Sequence, residues 1–254
     1  MQNMEQVAVI EIKGEIKKVR FILKTLEKFR KNKGVKAVVI RINSPGGAVA
    51  PSQEIYESIL KLRKAGKKVV ASMGTVAASG GYYIACACDK IVANPGTITG
   101  SIGVIFMHFD ISAVITKLGI KVNPVKSSSH KDIMSPYRPM DEEERKILQE
   151  TVLDVYDQFL GAVSKGRNLT KEQIKPYADG RIFSGRQAKK LDLVDELGGL
   201  EHAINLAKKI AKLKKSIPVK RYKRPRKFWW DVNEMDEKLQ NLTRPRFEIL
   251  YRVY

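Results

Sequence analysis

Short apolar runs rich in Val and Ile alternate with stretches of helical period through the first half of this chain, and few architectures accommodate that order. Val7 to Ile12 reads as a strand, Lys17 to Lys31 as an amphipathic helix with Phe21, Ile22, Leu26 and Phe29 on one side, and Val35 to Ile42 as a buried strand. Asn43-Ser44-Pro45-Gly46-Gly47 breaks the pattern, and Pro51 to Ala65 carries Ile55, Ile59 and Leu62 at helical spacing. Lys68 to Met73 then predicts a strand, Ala77 to Cys88 a small-residue helix, Lys90 to Ala93 a strand and Ile111 to Leu118 a helix. The alternation implies an α/β fold with a largely parallel sheet, right-handed crossovers and functional loops at strand ends. Asp141 to Lys165 is a long amphipathic helix whose first turn, Asp141 to Glu144, is acidic and suits the positive end of the helix dipole. Thr170 to Leu213 supplies further helices, punctuated by Asp179-Gly180 and Gly198-Gly199.

At 254 residues, 43% of them hydrophobic, the chain can bury one sizeable core over residues 1–215 and still carry an extension over 216–254. Cys86 and Cys88 stand two apart in an apolar run, where a disulfide would be strained, so they read as small buried hydrophobes. No apolar stretch reaches the roughly 18 residues of a membrane span, and Met1 to Val7 is too polar for a signal peptide. The sequence is thus expected neither to span a membrane nor to carry an export signal.

Three Gly-rich segments each follow an apolar run: Asn43 to Gly47, Gly74 to Gly81 and Gly100 to Gly103. Ser79 lies among Ala77, Ala78, Gly80 and Gly81, where a helix is expected to begin. Small neighbours leave its hydroxyl reachable, and a helix N-terminus offers free N–H groups to a developing oxyanion. A serine in a small-residue run is more often a plain helix cap. The paired glycines at 46 and 47 can likewise turn N–H groups toward a carbonyl oxygen or simply make a tight turn.

A nucleophilic serine needs a base. His108, in a stretch that reads as a strand, and Lys131, in the polar segment Ser127 to Ile133, are the contenders; His202 reads as a surface residue on a late helix. A lysine serves as base only where burial and missing counter-charge favour its neutral form, and by composition alone Lys131 is a solvated loop charge.

Ala77-Ala78-Ser79-Gly80-Gly81-Tyr82-Tyr83-Ile84-Ala85, Ile98-Thr99-Gly100-Ser101-Ile102-Gly103-Val104 and Lys131-Asp132-Ile133, preceded by Asn43 to Gly47, resemble the signal peptide peptidase A family of serine peptidases, single-length form. The likeness runs from about Val7 to about Leu213 and continues through Gly180 to Ala188 and Leu193-Val194-Asp195. It implies the fold shared by Clp proteases and crotonases, built from repeated β-β-α and βαβ units. It further implies a Ser/Lys dyad: Ser79 as nucleophile, Lys131 as base, Ser101 supporting the lysine, and the Gly46 N–H, next to Gly47, in the oxyanion hole. Extended substrate is expected beside Gly47 to Val49, Gly80 and Ser101 to Gly103, Ile102 included. No cofactor or metal is called for.

The same resemblance implies a dome-shaped homo-oligomeric ring, an octamer, whose sites take serine and lysine from neighbouring subunits. Its substrates would be remnant signal peptides and other membrane-associated or unfolded peptides. The expected place is the extracytoplasmic face of a membrane, held by an anchor absent from this sequence. Two rivals stand beside it: a cytoplasmic Clp-type peptidase using Ser79, His108 and an aspartate, and an inactive ring-forming scaffold at a membrane surface.

Net charge is +20, and eleven basic residues with no acid fall between Lys208 and Lys227, followed by Phe228-Trp229-Trp230. Cations beside interfacial aromatics suit an anionic bilayer. Lysine enrichment for solubility or ion pairing accounts for the same residues equally well, whereas nucleic acid is disfavoured for want of a binding motif.

Overall fold

Apolar residues on both faces of the central strands require helices above and below the sheet. The computed structural model describes residues 4–222 and, at the backbone level, 250–252. In chain order these form β1 (Gln6–Lys13), α1 (Arg20–Lys31), β2 (Val35–Ser44), β3 (Gly46–Ala48), α2 (Val49–Lys64), β4 (Lys68–Ala78), α3 (Gly80–Ala85), β5 (Lys90–Ala93) and β6 (Ile98–Gly100). There follow α4 (Ser112–Lys117), a 3₁₀ turn at Ser129–Asp132, α5 (Glu142–Arg167), α6 (Lys171–Ile174), β7 (Ile182–Ser184), α7 (Gly185–Lys190), β8 (Glu196–Leu197), α8 (Leu200–Ile210), β9 (Val219–Tyr222) and β10 (Leu250–Arg252).

The main sheet runs β7-β6-β4-β2-β1-β9, with β5 beside β4 and β8 beside β5. Every pairing in it is parallel except β6 with β7, so the α/β class with a mostly parallel sheet is as expected. Alternate side chains divide between two cores. Ile10, Ile12, Ile40, Ile42 and Met73 pack with Leu26 and Phe29 of α1, Ile55, Ile59 and Leu62 of α2, and Phe159 of α5. Val7, Val9, Val39 and Val70 meet Ala203, Ile204 and Ala207 of α8 on the other face. Each fully buried Ile, Leu or Phe stabilises by roughly 1.5–3 kcal/mol, so these strands cannot slip register without large loss.

Three expectations change. The strand beginning at Lys68 runs on to Ala78, and the expected small-residue helix starts only at Gly80 and ends at Ala85. Alanines tolerate either state, and here the ladder Val76↔Ile98, Ala77↔Thr99, Ala78↔Gly100 settles it as strand. The segment beyond residue 215 is not all extension, because Val219–Tyr222 adds a parallel strand beside β1. His108 lies outside any strand or helix. Cys86 and Cys88 are buried free thiols as expected, and burial pushes Cys86 up to about 12, which keeps it inert.

Leu193-Val194-Asp195 is structural. Asp195 accepts from the Ile91 N–H at 2.8 Å and from Arg167 Nη1 at 2.8 Å, tying the end of α5 to β5, while the Tyr82 hydroxyl donates to Leu193 O at 2.9 Å.

Candidate active site

Parallel strands end together, and in α/β sheets their carboxyl ends are where chemistry is placed. Here β2, β4 and β6 end at Ser44, Ala78 and Gly100, each within one of the Gly-rich segments. The register pairs Ala78 with Gly100, so the next residues, Ser79 and Ser101, occupy matching positions just past the ends of adjacent strands. The Ser79 N–H donates to Gly100 O at 2.8 Å and locks the two ends together.

Ser79 has φ 52° and ψ −118°, a conformation L-residues rarely adopt. The strand-to-helix reversal forces it: Ala78 is still on the ladder, while the Tyr83 N–H already donates to Ser79 O as the helix begins. The side chain is fully buried, and its Oγ has no hydrogen-bond partner among the described residues. A buried, unpaired hydroxyl on a strained turn is costly for stability and poorly explained as a cap. Gly80 contributes the first N–H of α3, which has no partner within the helix.

Asn43 to Gly47 is held from below. Asn43 Oδ1 accepts the Val76 N–H at 3.2 Å where the β2–β4 register shifts, and Ser44 Oγ accepts the Gly46 N–H at 3.1 Å. The expected oxyanion donor, Gly46, is therefore engaged by Ser44 in this state. Gly46 and Gly47 have φ 112° and 154°, and a methyl at Gly47 would collide with the backbone of Ile16. Glycine is required because the strand must pass hard against the Ile16 backbone, which bonds to it on both sides, Ile16 N–H to Gly46 O and Ala48 N–H to Ile16 O, each at 2.9 Å. Val49 then opens α2 and is buried.

β3 also pairs antiparallel with β10, Leu250 facing Ala48, Tyr251 facing Gly47 and Arg252 facing Gly46. Its outer edge thus accepts an extended chain.

Ser101 also has a positive φ, 51°, and donates its N–H to Arg181 O at 2.8 Å. Ile102 is buried and accepts from the Gly180 N–H at 3.1 Å, and Gly103 lies against Gly180. The segment from Gly180 onward is thus a buttress for this third strand end.

Lys131 is where sequence and single chain part company. It sits on the 3₁₀ turn Ser129–Asp132 with its side chain exposed, and Nζ makes no hydrogen bond or ion pair among the described residues. The chain gathers Gly46, Gly47, Val49, Ser79, Gly80, Ser101, Ile102 and Gly103 at one sheet end but bonds Lys131 to neither serine. His108 Nε2 faces Ser135 O at 3.0 Å, and no hydrogen bond joins it to Ser79. His202 is a surface residue with Nε2 2.6 Å from Glu196 Oε2. Sequence reasoning passed over Asn43 and Ser44 as individuals, although short polar side chains before a Gly-Gly pair are the usual means of fixing such a turn.

Comparison with known proteins identifies the family. The model of Peptidase family S49 matches residues 61–214, and that of Clp protease matches residues 1–97. A protein of Synechocystis named as a candidate protease is 46% identical over 214 residues, covering 82% of this chain and 76% of its own length. An Enterococcus faecium protein named as a candidate signal peptide peptidase is 43% identical, covering 75% of this chain and 56% of its own. The chloroplastic serine protease SPPA of Arabidopsis thaliana is 34% identical, covering 82% of this chain and 33% of its own. The chain thus spans about half and a third of the last two relatives. A strained serine at a parallel strand end, a Clp-like chain start and a match over most of the remainder place this protein in peptidase family S49, as a serine peptidase.

Proposed function

We propose that the protein is an endopeptidase of the Ser/Lys type, in which Ser79 attacks the substrate carbonyl and Lys131 of a neighbouring subunit takes its proton. The observation that carries this is a pair of groups unpartnered among the described residues: a buried Ser79 Oγ without a hydrogen bond, and a Lys131 Nζ displayed on the outside of the same chain. The segment leading to Lys131 exposes Phe109, Val114, Leu118, Ile120, Val122 and Val125, and α4 buries none of its residues. Apolar surface of that extent fits contact with a second copy, as a ring would supply.

The neutral Lys131 amine accepts the Ser79 hydroxyl proton as the Oγ–C bond forms. The resulting ammonium returns that proton to the leaving amine as the C–N bond breaks, leaving an acyl-serine. Water, giving a proton to the same amine, then attacks the acyl carbon, and the ammonium passes that proton to Ser79 Oγ as the ester bond breaks and the acid is released. Gly46 N–H reaches the oxyanion by exchanging its bond to Ser44 Oγ, with the Gly80 N–H as the second donor and Ser101 supporting the lysine. Substrate lies extended along Gly47 to Val49 and Ser101 to Gly103, a mode supported by the strand already paired to β3. Remnant signal peptides, as apolar extended segments, suit such an edge.

The surface of an anionic membrane is the proposed place of work. Among the described residues no helix is long and apolar enough to cross a bilayer. The basic stretch is less uniform than its sequence: Lys208 is buried with Nζ donating to Lys215 O at 2.6 Å, and Lys220 sits 5.4 Å over the Tyr222 ring. Residues 223–230, with Phe228-Trp229-Trp230, lie outside the described residues.

A fluorophosphonate probe tests the reaction class directly. Wild-type protein is expected to be labelled at Ser79, with labelling slowed about 100-fold or more in Lys131→Ala. Labelling of Lys131→Ala at the wild-type rate, with loss in His108→Ala instead, overturns the dyad in favour of a histidine base. Because β10 occupies the edge offered to substrate, deleting residues 250–254 is expected to raise kcat/KM for extended peptides several-fold, chiefly by lowering KM. An unchanged KM would show that substrate does not use β3.

A further inference from the structure

Lys131 makes no ion pair among the described residues, yet acidic residues surround it in sequence. Asp132 follows it directly, and Asp141 to Glu144 begin the helix that comes next. Each of these acids near the turn is occupied. Arg138 holds Asp132 by two bonds, Nε to Oδ2 at 3.0 Å and Nη2 to Oδ1 at 2.9 Å, and Lys126 Nζ reaches Oδ1 at 2.7 Å. The same guanidinium grips Glu144, with Nη1 2.8 Å from Oε2 and Nη2 also on Oε1. Glu143 Oε1 faces His130 Nε2 at 3.5 Å, Glu142 Oε2 faces Arg145 Nε at 3.9 Å, and Asp141 Oδ1 accepts the Glu144 N–H at 2.8 Å.

We propose that Arg138 is a positioning residue for catalysis, clamping the Lys131 turn to the start of α5 and withholding the Asp132 carboxylate from the Lys131 ammonium. This inference rests on the reading of Lys131 as general base.

The mechanical part follows from what Glu144 is attached to. Its side chain is 1% exposed and completes a capping box with Asp141. Helix α5 runs on for 26 residues and buries Val155, Phe159, Leu160 and Val163 in the core. The 3₁₀ turn has no buried residue of its own, and Arg138, with the longer His130–Glu143 contact at 3.5 Å, links it to that rigid element. A turn left free by even 1 Å costs a proton-transfer step about 100-fold.

The electrostatic part is a matter of sign. Asp132 and Glu144 carry two negative charges, and Arg138 and Lys126 two positive, so this bonded group of four next to Lys131 in the chain is neutral. Arg138 and Lys126 hold the Asp132 carboxyl well below its usual range, and Arg138 does the same for Glu144, so both stay ionised. Remove Arg138 and net negative charge appears beside Lys131, favouring its protonated and catalytically useless form. Remove the Asp132 charge and the surroundings become positive, favouring the free amine.

Arg138→Gln, Arg138→Lys, Asp132→Asn and Lys131→Ala, measured as full chains with a fluorogenic apolar peptide across neutral to alkaline pH, test this. Arg138→Gln is expected to lose about 10- to 100-fold in kcat with KM within about twofold, and its rising pH limb to move to higher pH. Asp132→Asn is expected to move that limb the opposite way, to lower pH, and Arg138→Lys to recover part of the Arg138→Gln loss. Opposed shifts are something a loss of folding does not produce. If Arg138→Gln does not fold by circular dichroism, the Asp132→Asn profile decides alone: a shift to lower pH supports the clamp, and an unmoved limb overturns it. Wild-type kcat and profile in Arg138→Gln, with Lys131→Ala inactive, overturn the role of Arg138 while leaving the base in place. Full activity in Lys131→Ala instead removes the base itself, and the clamp with it.

Discussion

Ser79→Gly is expected to be inactive and more stable than the wild type. Two costs meet at this residue. A non-glycine residue at φ 52°, ψ −118° carries strain of roughly 1–3 kcal/mol, and a fully buried hydroxyl without a partner adds about 1–3 kcal/mol. Glycine removes both, while its greater freedom in the unfolded chain returns about 0.5–1 kcal/mol. The expected net gain is roughly 1–5 kcal/mol, a rise of several degrees in Tm for a protein of this size. Ser79→Ala loses the hydroxyl but keeps the strained turn, so its gain should be smaller. Both should lose peptidase activity by about 10⁴-fold or more, since no nucleophile remains. Thermal unfolding at one fixed protein concentration checks the order Gly above Ala above Ser. A Ser79→Gly protein less stable than wild type would show that the turn stores no strain and that Ser79 contributes to folding.

Mixing two inactive variants should restore activity. Ser79→Ala retains the lysine, and Lys131→Ala retains the serine. If each site takes its serine from one subunit and its lysine from the next, subunits mixed at random in equal amounts give a working pair at about one site in four. Refolding the two variants together should therefore reach about a quarter of wild-type kcat per chain, while each refolded alone stays near background. No recovery, with mixed oligomers confirmed by mass, would place the base within the same chain as the nucleophile. The exposed Lys131 side chain and the unpartnered Ser79 Oγ argue for the first result.

Residue patterning made the framework legible. Val35 to Ile42 and Lys90 to Ala93 fall in strands, and Ile55, Ile59 and Leu62 mark the buried side of α2, because hydrophobic period follows from backbone geometry that each segment carries with it. The candidate nucleophile was legible too, from small residues crowded around one serine. The extent of β4 was not. Alanine and serine at 71–79 suit helix or strand, and pairing with β6, more than twenty residues later, decides between them. Strand β9 was hidden for a similar reason: Val219–Tyr222 reads as part of a basic tail until β1 supplies a partner more than 200 residues earlier.

What the sequence determined by itself was the α/β class and the three Gly-rich strand ends, since local period and turn chemistry need no distant partner. Only the tertiary structure decided that Ser79 and Ser101 stand level on neighbouring strands, that Gly46 is held by Ser44, and that Arg138 binds the Lys131 turn to α5. The first joins strand ends more than twenty residues apart, and the other two, though short in sequence, depend on backbone turns and side-chain positions that exist only once packing has set them.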